Sequence, residues 1–276
     1  MDVISGPEAV VQKTPFPHVI IDGFFTEEMH EAICSAYETV LAKGTSETVR
    51  PSMLSRFPGY DAYCWVFDPQ TGPPLDFFYS REWLNYFADL FSVPLSDDVV
   101  VEFHHHLIGS KEDAWHDDFN FAYFVERDRL PNGVNPWYFQ CNYMDATAST
   151  LPAAPALERV RGVAFIYYFG REPYQTGSGG ETGLGVTNCE TGEVSLFQAV
   201  EPVPNRLLAF EISQQSHHKF MTNTGRERNT IIGWFHVTLE ETLRRHQIYP
   251  RRWTQGDIAG GKRSPEGLPL DEIIYA

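Results

Sequence analysis

The sequence predicts a mostly β protein, an antiparallel barrel or jelly roll with helices ahead of it, and three observations carry that prediction. Short apolar segments recur from Val99 onward, at Val99–Ile108, Val163–Phe169, Val194–Phe197, Leu207–Phe210 and Thr230–His236. Turn residues separate them, most densely at Gly177–Gly180, and many short strands punctuated by turns are the mark of such folds. Aromatic residues make up 14% of the 276 residues and hydrophobic residues 42%, a content suited to an enclosed β architecture.

Each element follows from its local sequence. Pro15–Phe25 reads as a short strand closed by a turn. A helix follows, with Thr26 as its N-cap, Glu27 and Glu28 where the helix dipole favours acids, and Met29, Ile33, Ala36, Tyr37 and Val40 at helical spacing up to Gly44. Residues 45–79 carry Pro51, Pro58, Gly59, Gly72, Pro73 and Pro74 among many aromatics and read as irregular structure packed on a core. Ser80 caps a second helix whose stripe is Trp83, Leu84, Phe87, Leu90 and Phe91, ending before Pro94. Both stripes are core packing. Val99–Ile108 is then a strand, residues 109–113 a turn, and the segment holding His116 and Asp118 the next strand. Residues 121–160 interrupt the rhythm and are expected to be an insertion on the substrate side. The expected organisation is a single domain over 1–276: a helical and irregular support at 1–98, a catalytic core at 99–240, and a C-terminal extension at 241–276.

Composition excludes several classes of function. A formal charge of −16 argues against a surface that tracks phosphates, so no nucleic-acid partner is expected. The opening residues show no basic region followed by an apolar run, and no stretch is long enough to cross a bilayer, so no membrane partner is expected either. Cys34, Cys64, Cys141 and Cys189 are widely spaced without a CxxC pair, which suits neither a disulfide framework nor a zinc ribbon. A reducing, cytoplasmic location and a small-molecule substrate are the expectation, with the oligomeric state open.

The chemistry centres on Trp115-His116-Asp117-Asp118-Phe119. In a strand, His116 and Asp118 share one face and Asp117 takes the other. An imidazole and a carboxylate so placed supply two of the three ligands of a facial triad, which binds non-haem Fe(II) and leaves positions open. The third ligand must come from a distant strand, and His217 and His218 are the candidates. Ten residues past His218 stands Arg228, with Thr230 two further on the same strand face. A guanidinium and a hydroxyl so arranged can hold a carboxylate.

Taken in order, these residues resemble the Fe(II)- and 2-oxoglutarate-dependent dioxygenases, specifically their prolyl-hydroxylase-like branch. Its HxD is matched by His116 and Asp118, its distal His by His218, and its Arg with a hydroxyl residue two further on by Arg228 and Thr230. Ile166–Gly170, Gly179–Thr182, Pro204–Phe210 and Pro17–Phe25 agree with further stretches of the pattern, so the resemblance spans most of residues 15–240. It implies a double-stranded β-helix, a cupin-like jelly roll. It also implies Fe(II) held by His116, Asp118 and His218. The family pattern in Ser216–Phe220 selects His218 over His217. Arg228 and Thr230 would anchor the far carboxylate of 2-oxoglutarate, and a family position that hydrogen-bonds this co-substrate falls on His106. The implied reaction consumes O2, releases succinate and CO2, and hydroxylates an unactivated C–H. Asp118 stands where halogenating members carry a small residue, so halogenation is not expected.

The substrate reading is a small, cationic or amino-acid-like molecule or a natural-product intermediate, from the acidic chain and from Phe121, Tyr123, Phe124, Trp137, Tyr138, Phe139 and Tyr143 in the expected insertion. Desaturation, cyclisation or hydroxylation of a peptide residue are alternative outcomes of the same chemistry. Two rivals remain. A cupin-type metal site would use His104, His106 and Glu112 with a later His, although the cupin spacing and glycines are absent. A non-catalytic β-sandwich that binds a ligand or partner would leave Arg228 and Thr230 without a role.

Overall fold

The computed structural model describes residues 3–250, apart from 8, 51, 57–59, 126–129, 132 and 137–155, together with the backbone of Leu268–Pro269. In chain order the elements are β1 (His18–Ile21), α1 (Glu27–Leu41), β2 (Thr45–Ser46), β3 (Leu54–Arg56), β4 (Tyr63–Val66), α2 (Arg81–Phe91), β5 (Asp98–His106), β6 (Phe121–Val125), β7 (Asn135–Pro136), β8 (Ala156–Phe169), β9 (Thr182–Thr187), β10 (Val194–Val200), β11 (Arg206–Glu211), β12 (His218–Phe220), β13 (Arg228–Val237) and α3 (Leu239–His246). Both predicted caps form. The Thr26 side chain accepts from Met29 N at 3.3 Å and the Ser80 side chain from Trp83 N at 3.0 Å.

A large sheet runs in the order β1-β11-β8-β13-β5-β4-β3-β2, with β6 added to β8 and β7 to β5; a small sheet runs β10-β9-β12. The two sheets face each other as a jelly roll. The pleat decides what each residue meets. In β5, β8 and β13, Phe103, Phe165, Phe169 and Phe235 point outward, where Tyr37 of α1 lies 5.3 Å from Phe103 and 4.9 Å from Phe169, and Trp83 and Phe87 of α2 lie 5.1 Å from Phe165 and 5.0 Å from Phe235. Gly233 belongs to this face. A Cβ there would sit 2.3 Å from the Phe165 ring, so the close approach requires glycine. The alternate residues point inward toward the small sheet. Register pairs Arg228 with His106, Thr230 with His104, Ile232 with Glu102 and Trp234 with Val100, which places these side chains on one wall.

Three expectations change. Residues 45–79 contribute β2, β3 and β4 to the large sheet, because their backbone continues the edge that β5 leaves open. Residues 121–160 are not one insertion: β6 pairs with β8 from Phe121↔Val160 to Val125↔Ala156, and Phe121, Tyr123 and Phe124 are buried. Trp137, Tyr138, Phe139 and Tyr143 lie outside the described residues. The expected extension begins inside α3, where Arg245 pairs with Glu211 of β11, so residues 241–246 belong to the body of the fold.

Candidate active site

His116, Asp118 and His218 come together as expected, by a different local structure. Their ligand atoms lie within 4.8 Å of one another. His116 forms a single isolated bridge with His218, exchanging backbone hydrogen bonds of 3.1 and 2.8 Å, and no strand continues past it. Asp118 instead adopts a left-handed conformation, φ 62°. A turn holds it there: Asp117 Oδ1 accepts from Phe119 N at 2.9 Å, and Asn120 N donates to Asp118 O at 2.8 Å. Asx residues tolerate this region better than most. Strand alternation is therefore not what separates Asp118 from Asp117. The turn turns one carboxylate toward the histidines and spends the other on its own backbone.

Each member of the triad is braced. His116 Nδ1 donates to Ala114 O at 3.0 Å and His218 Nδ1 to Ser216 O at 2.8 Å, which assigns the lone pair of each ring to Nε2. That is the tautomer a metal ligand needs. Burial, reinforced by neighbouring His116, pulls the His218 imidazole down to about 4, so it stays neutral. Burial opposes the charge of Asp118, but Arg161, His218 and His116 outweigh it and hold the carboxyl well below the usual range. Arg161 Nη1 donates to Asp118 Oδ1, and Trp234 Nε1 donates to Oδ2 at 2.7 Å. Oδ2 remains 3.7 Å from His218 Nε2. Trp115 seats the segment from outside, over Gly183 and Gly185 of β9, where a Cβ on Gly185 would come within 2.9 Å of its ring.

The second set occupies the other end of the inner wall. Arg228 is 4% exposed, with its guanidinium carbon 5.3 Å from the centre of the Tyr168 ring and 5.1 Å from that of Phe220. One of its nitrogens, Nη2, donates to Thr182 Oγ1 at 3.0 Å, a hydroxyl that also accepts from Tyr168 at 2.6 Å. Its Nε and Nη1 have no hydrogen-bond partner, and neither has Thr230 Oγ1, although all three atoms are buried. Orphaned buried donors are costly. A carboxylate placed between them would satisfy all three.

Other expected residues stand differently. His217 is half-buried and bonds to Thr187 Oγ1 at 3.1 Å, away from the triad. His106 does lie beside Arg228, but Nδ1 donates to Asp61 O at 3.1 Å and Nε2 pairs with the Tyr60 hydroxyl at 3.2 Å. Its ring stacks on Phe220 at 3.9 Å, so at the position expected to bond a co-substrate both ring nitrogens already have protein partners. The cupin arrangement fails, because Glu112 is exposed and pairs with Lys219 at 2.7 Å. Arg161, Trp234, Tyr168 and Thr182 were not singled out from sequence. Trp234 could have been, since it lies four and six residues past Thr230 and Arg228 on the same face of β13.

A jelly roll holding a His-Asp-His cluster beside an unsatisfied arginine defines a class, and the comparisons place the chain in it. Residues 103–236 match the sequence model of the 2OG-Fe(II) oxygenase superfamily. The chain carries a 2OG-Fe(II) oxygenase domain and is a 2-oxoglutarate-dependent dioxygenase. The family uses Fe(II), 2-oxoglutarate and O2. No protein of curated function matches the chain. Among solved structures it is similar to a Pseudomonas putida prolyl-4-hydroxylase, at 18% identity and a TM-score of 0.48 over 79% of this chain and 91% of that one. A viral collagen prolyl hydroxylase from Paramecium bursaria Chlorella virus-1, bound to 2-oxoglutarate, is 13% identical with a TM-score of 0.48 over 80% of this chain and 96% of that one. A Trichoplax adhaerens prolyl hydroxylase in complex with a hypoxia-inducible-factor peptide is 13% identical with a TM-score of 0.49 over 83% of this chain and 87% of that one.

Proposed function

We propose that this enzyme hydroxylates an unactivated C–H of a small, amino-acid-like or natural-product substrate, with His116, Asp118 and His218 as the iron ligands and Arg228 and Thr230 as the co-substrate anchor. The donor set suits Fe(II): two imidazoles and one carboxylate, with ligand atoms within 4.8 Å of one another. When bound, iron with 2-oxoglutarate and O2 supplies the oxidising chemistry and yields succinate and CO2. The chain's own residues bind and orient. Arg161 and Trp234 keep Asp118 ionised and aimed, while the backbone carbonyls of Ala114 and Ser216 hold the two imidazoles in the ligating tautomer. Arg228 and Thr230 receive the far carboxylate, with the Tyr168 and Phe220 rings excluding water around the guanidinium.

The observation that carries this reading is the set of three orphaned atoms, Arg228 Nε, Arg228 Nη1 and Thr230 Oγ1. It is tested by calorimetry under anaerobic conditions, titrating 2-oxoglutarate into protein loaded with Fe(II), followed by a screen of amino acids, related metabolites and short peptides for succinate release and product mass. Binding of 2-oxoglutarate only when metal is present, with a hydroxylated product, supports it. No binding would end the reading. A product 2 Da lighter than its substrate would assign desaturation instead, and a peptide as the sole substrate would move the target from small molecules to protein residues.

A further inference from the structure

One buried polar group on the inner wall belongs to neither set. Glu102 and His104 follow each other on the inner face of β5, and Cys64 stands opposite His104 on β4. One ligand atom from each of the three lies within 4.8 Å of the others. His104 Nε2 and Glu102 Oε1 are 2.5 Å apart, and the two side chains are only 8% and 10% exposed. His104 Nδ1 is buried without a partner. Glu102 Oε2 makes no hydrogen bond to any described residue, and no lysine or arginine among them pairs with this carboxylate. Its register neighbours on either side, Val66 and Ile232, are apolar. A carboxylate withdrawn from water with a single hydrogen bond is expensive to keep. Both nearby guanidinium groups are directed elsewhere, Arg161 to Asp118 and Arg228 to Thr182.

We infer that Glu102, oriented by His104, is the substrate-recognition group of this site, and that the substrate carries a basic side-chain nitrogen, an ammonium or a guanidinium. The inference rests on the oxygenase site proposed above. Position supports it as strongly as charge. Glu102 lies one strand from β13 and one pleat from the level of Trp234, which holds Asp118, so its Cα is about 8 Å from that of Trp234 by ordinary sheet spacings. A cation held there places carbons a few bonds away beside the triad. The Glu102 and His104 side chains thus stand on the wall between the Asp118 end and the Arg228 end, with Glu102 on the triad side, where a substrate beside the triad can meet it. The pair moves no proton in this role; it selects and positions.

The test uses full-length protein with Mn(II) in place of Fe(II) and N-oxalylglycine in place of 2-oxoglutarate. L-Arginine, L-lysine and L-ornithine are titrated by calorimetry against the neutral L-citrulline and L-norleucine, together with N-acetylated, C-amidated tripeptides centred on Lys or Arg. A cationic compound is expected to bind at least about 100-fold more tightly than its neutral counterpart, since a site built around a charged hydrogen bond rejects analogues that leave it unpaired. In Glu102→Gln that advantage should fall below about ten-fold. Whether a free amino acid or a tripeptide binds best identifies the source of the nitrogen, and either result supports the inference. Affinity of Glu102→Gln for Mn(II) and N-oxalylglycine confirms that the variant is folded. Equal binding of neutral compounds, no binding of any cationic one, or an unchanged preference in Glu102→Gln would overturn it. So would a Co(II)–thiolate absorption band that disappears in Cys64→Ser, which would make the cluster a metal site. Failure of the wild type to take up Mn(II) with N-oxalylglycine would instead sink the oxygenase site itself, and this inference with it.

Discussion

The two faces of β5, β8 and β13 are built from alternate residues of the same strands and have opposite chemistry. Outward, Phe103, Phe165, Phe169 and Phe235 meet the aromatic residues of α1 and α2. Inward, Glu102, His104, His106, Tyr168, Arg228, Thr230 and Trp234 are equally buried yet polar, and several of their atoms lack partners. The comparison shows a division of labour set by pleat parity. Aromatic burial on one face supplies the stability that lets the other face hold groups whose partners are ligands. The inner face is itself divided. The triad end is braced by protein, whereas Arg228 and Thr230 keep unpartnered atoms, which is where we propose the co-substrate binds.

That contrast can be broken from either side. The largest effect is expected at Asp118: Asp118→Ala should lower turnover by at least about three orders of magnitude and remove tight Fe(II) binding by calorimetry, because metal and Arg161 both lose their partner. Asp117→Ala, which removes the turn contact to Phe119, should retain metal binding. On the outer face, Phe165→Ala should cost about 3–5 kcal/mol in chemical denaturation by opening a cavity between Trp83, Phe87 and Gly233. The surviving folded fraction should bind 2-oxoglutarate as the wild type does. Arg228→Ala should weaken 2-oxoglutarate by about two orders of magnitude in calorimetry, the scale of a lost buried charge-assisted contact, without raising the Fe(II) dissociation constant more than a few-fold.

A smaller, pH-dependent effect belongs to His236, also on the inner side. Burial pulls its imidazole down to about 3, against the hydrogen bond it donates to Asp98 O at 2.7 Å. The unfolded chain therefore binds a proton that the folded chain refuses between about pH 6.5 and pH 3. Stability should fall as pH drops through that window, on the order of 1–3 kcal/mol from this residue by pH 4. Denaturation curves of His236→Phe should show a shallower slope over the same range, and an unchanged slope would reassign the acid sensitivity.

Much of this was legible in the chain. Thr26 and Ser80 announce their helices because capping is decided by a few adjacent residues. The parity of Arg228 and Thr230 follows from strand period alone, and the order His116, Asp118, His218, Arg228, Thr230 carries the family. Other features were not legible, for reasons that share a cause. The sequence reads His116–Asp118 as a strand, but cross-strand pairing with His218 ends at His116 and a left-handed turn takes over. His106 looks like a ligand-binding position until Asp61 and Tyr60, more than forty residues upstream, occupy its nitrogens. Residues 121–160 look like an excursion because β6 finds its partner in β8 across a long gap.

What the sequence by itself determined was therefore the class of fold and the caps, and it also named the residues we propose as metal ligands and as the carboxylate pair, since these depend on residue type and short spacing. Tertiary structure alone decided which polar atoms are satisfied. Long-range register brought Arg161 and Trp234 to Asp118 and left Arg228, Thr230 and Glu102 with unfilled valences. A hydrogen bond between residues distant in sequence is invisible until the sheet closes, and so is the absence of one.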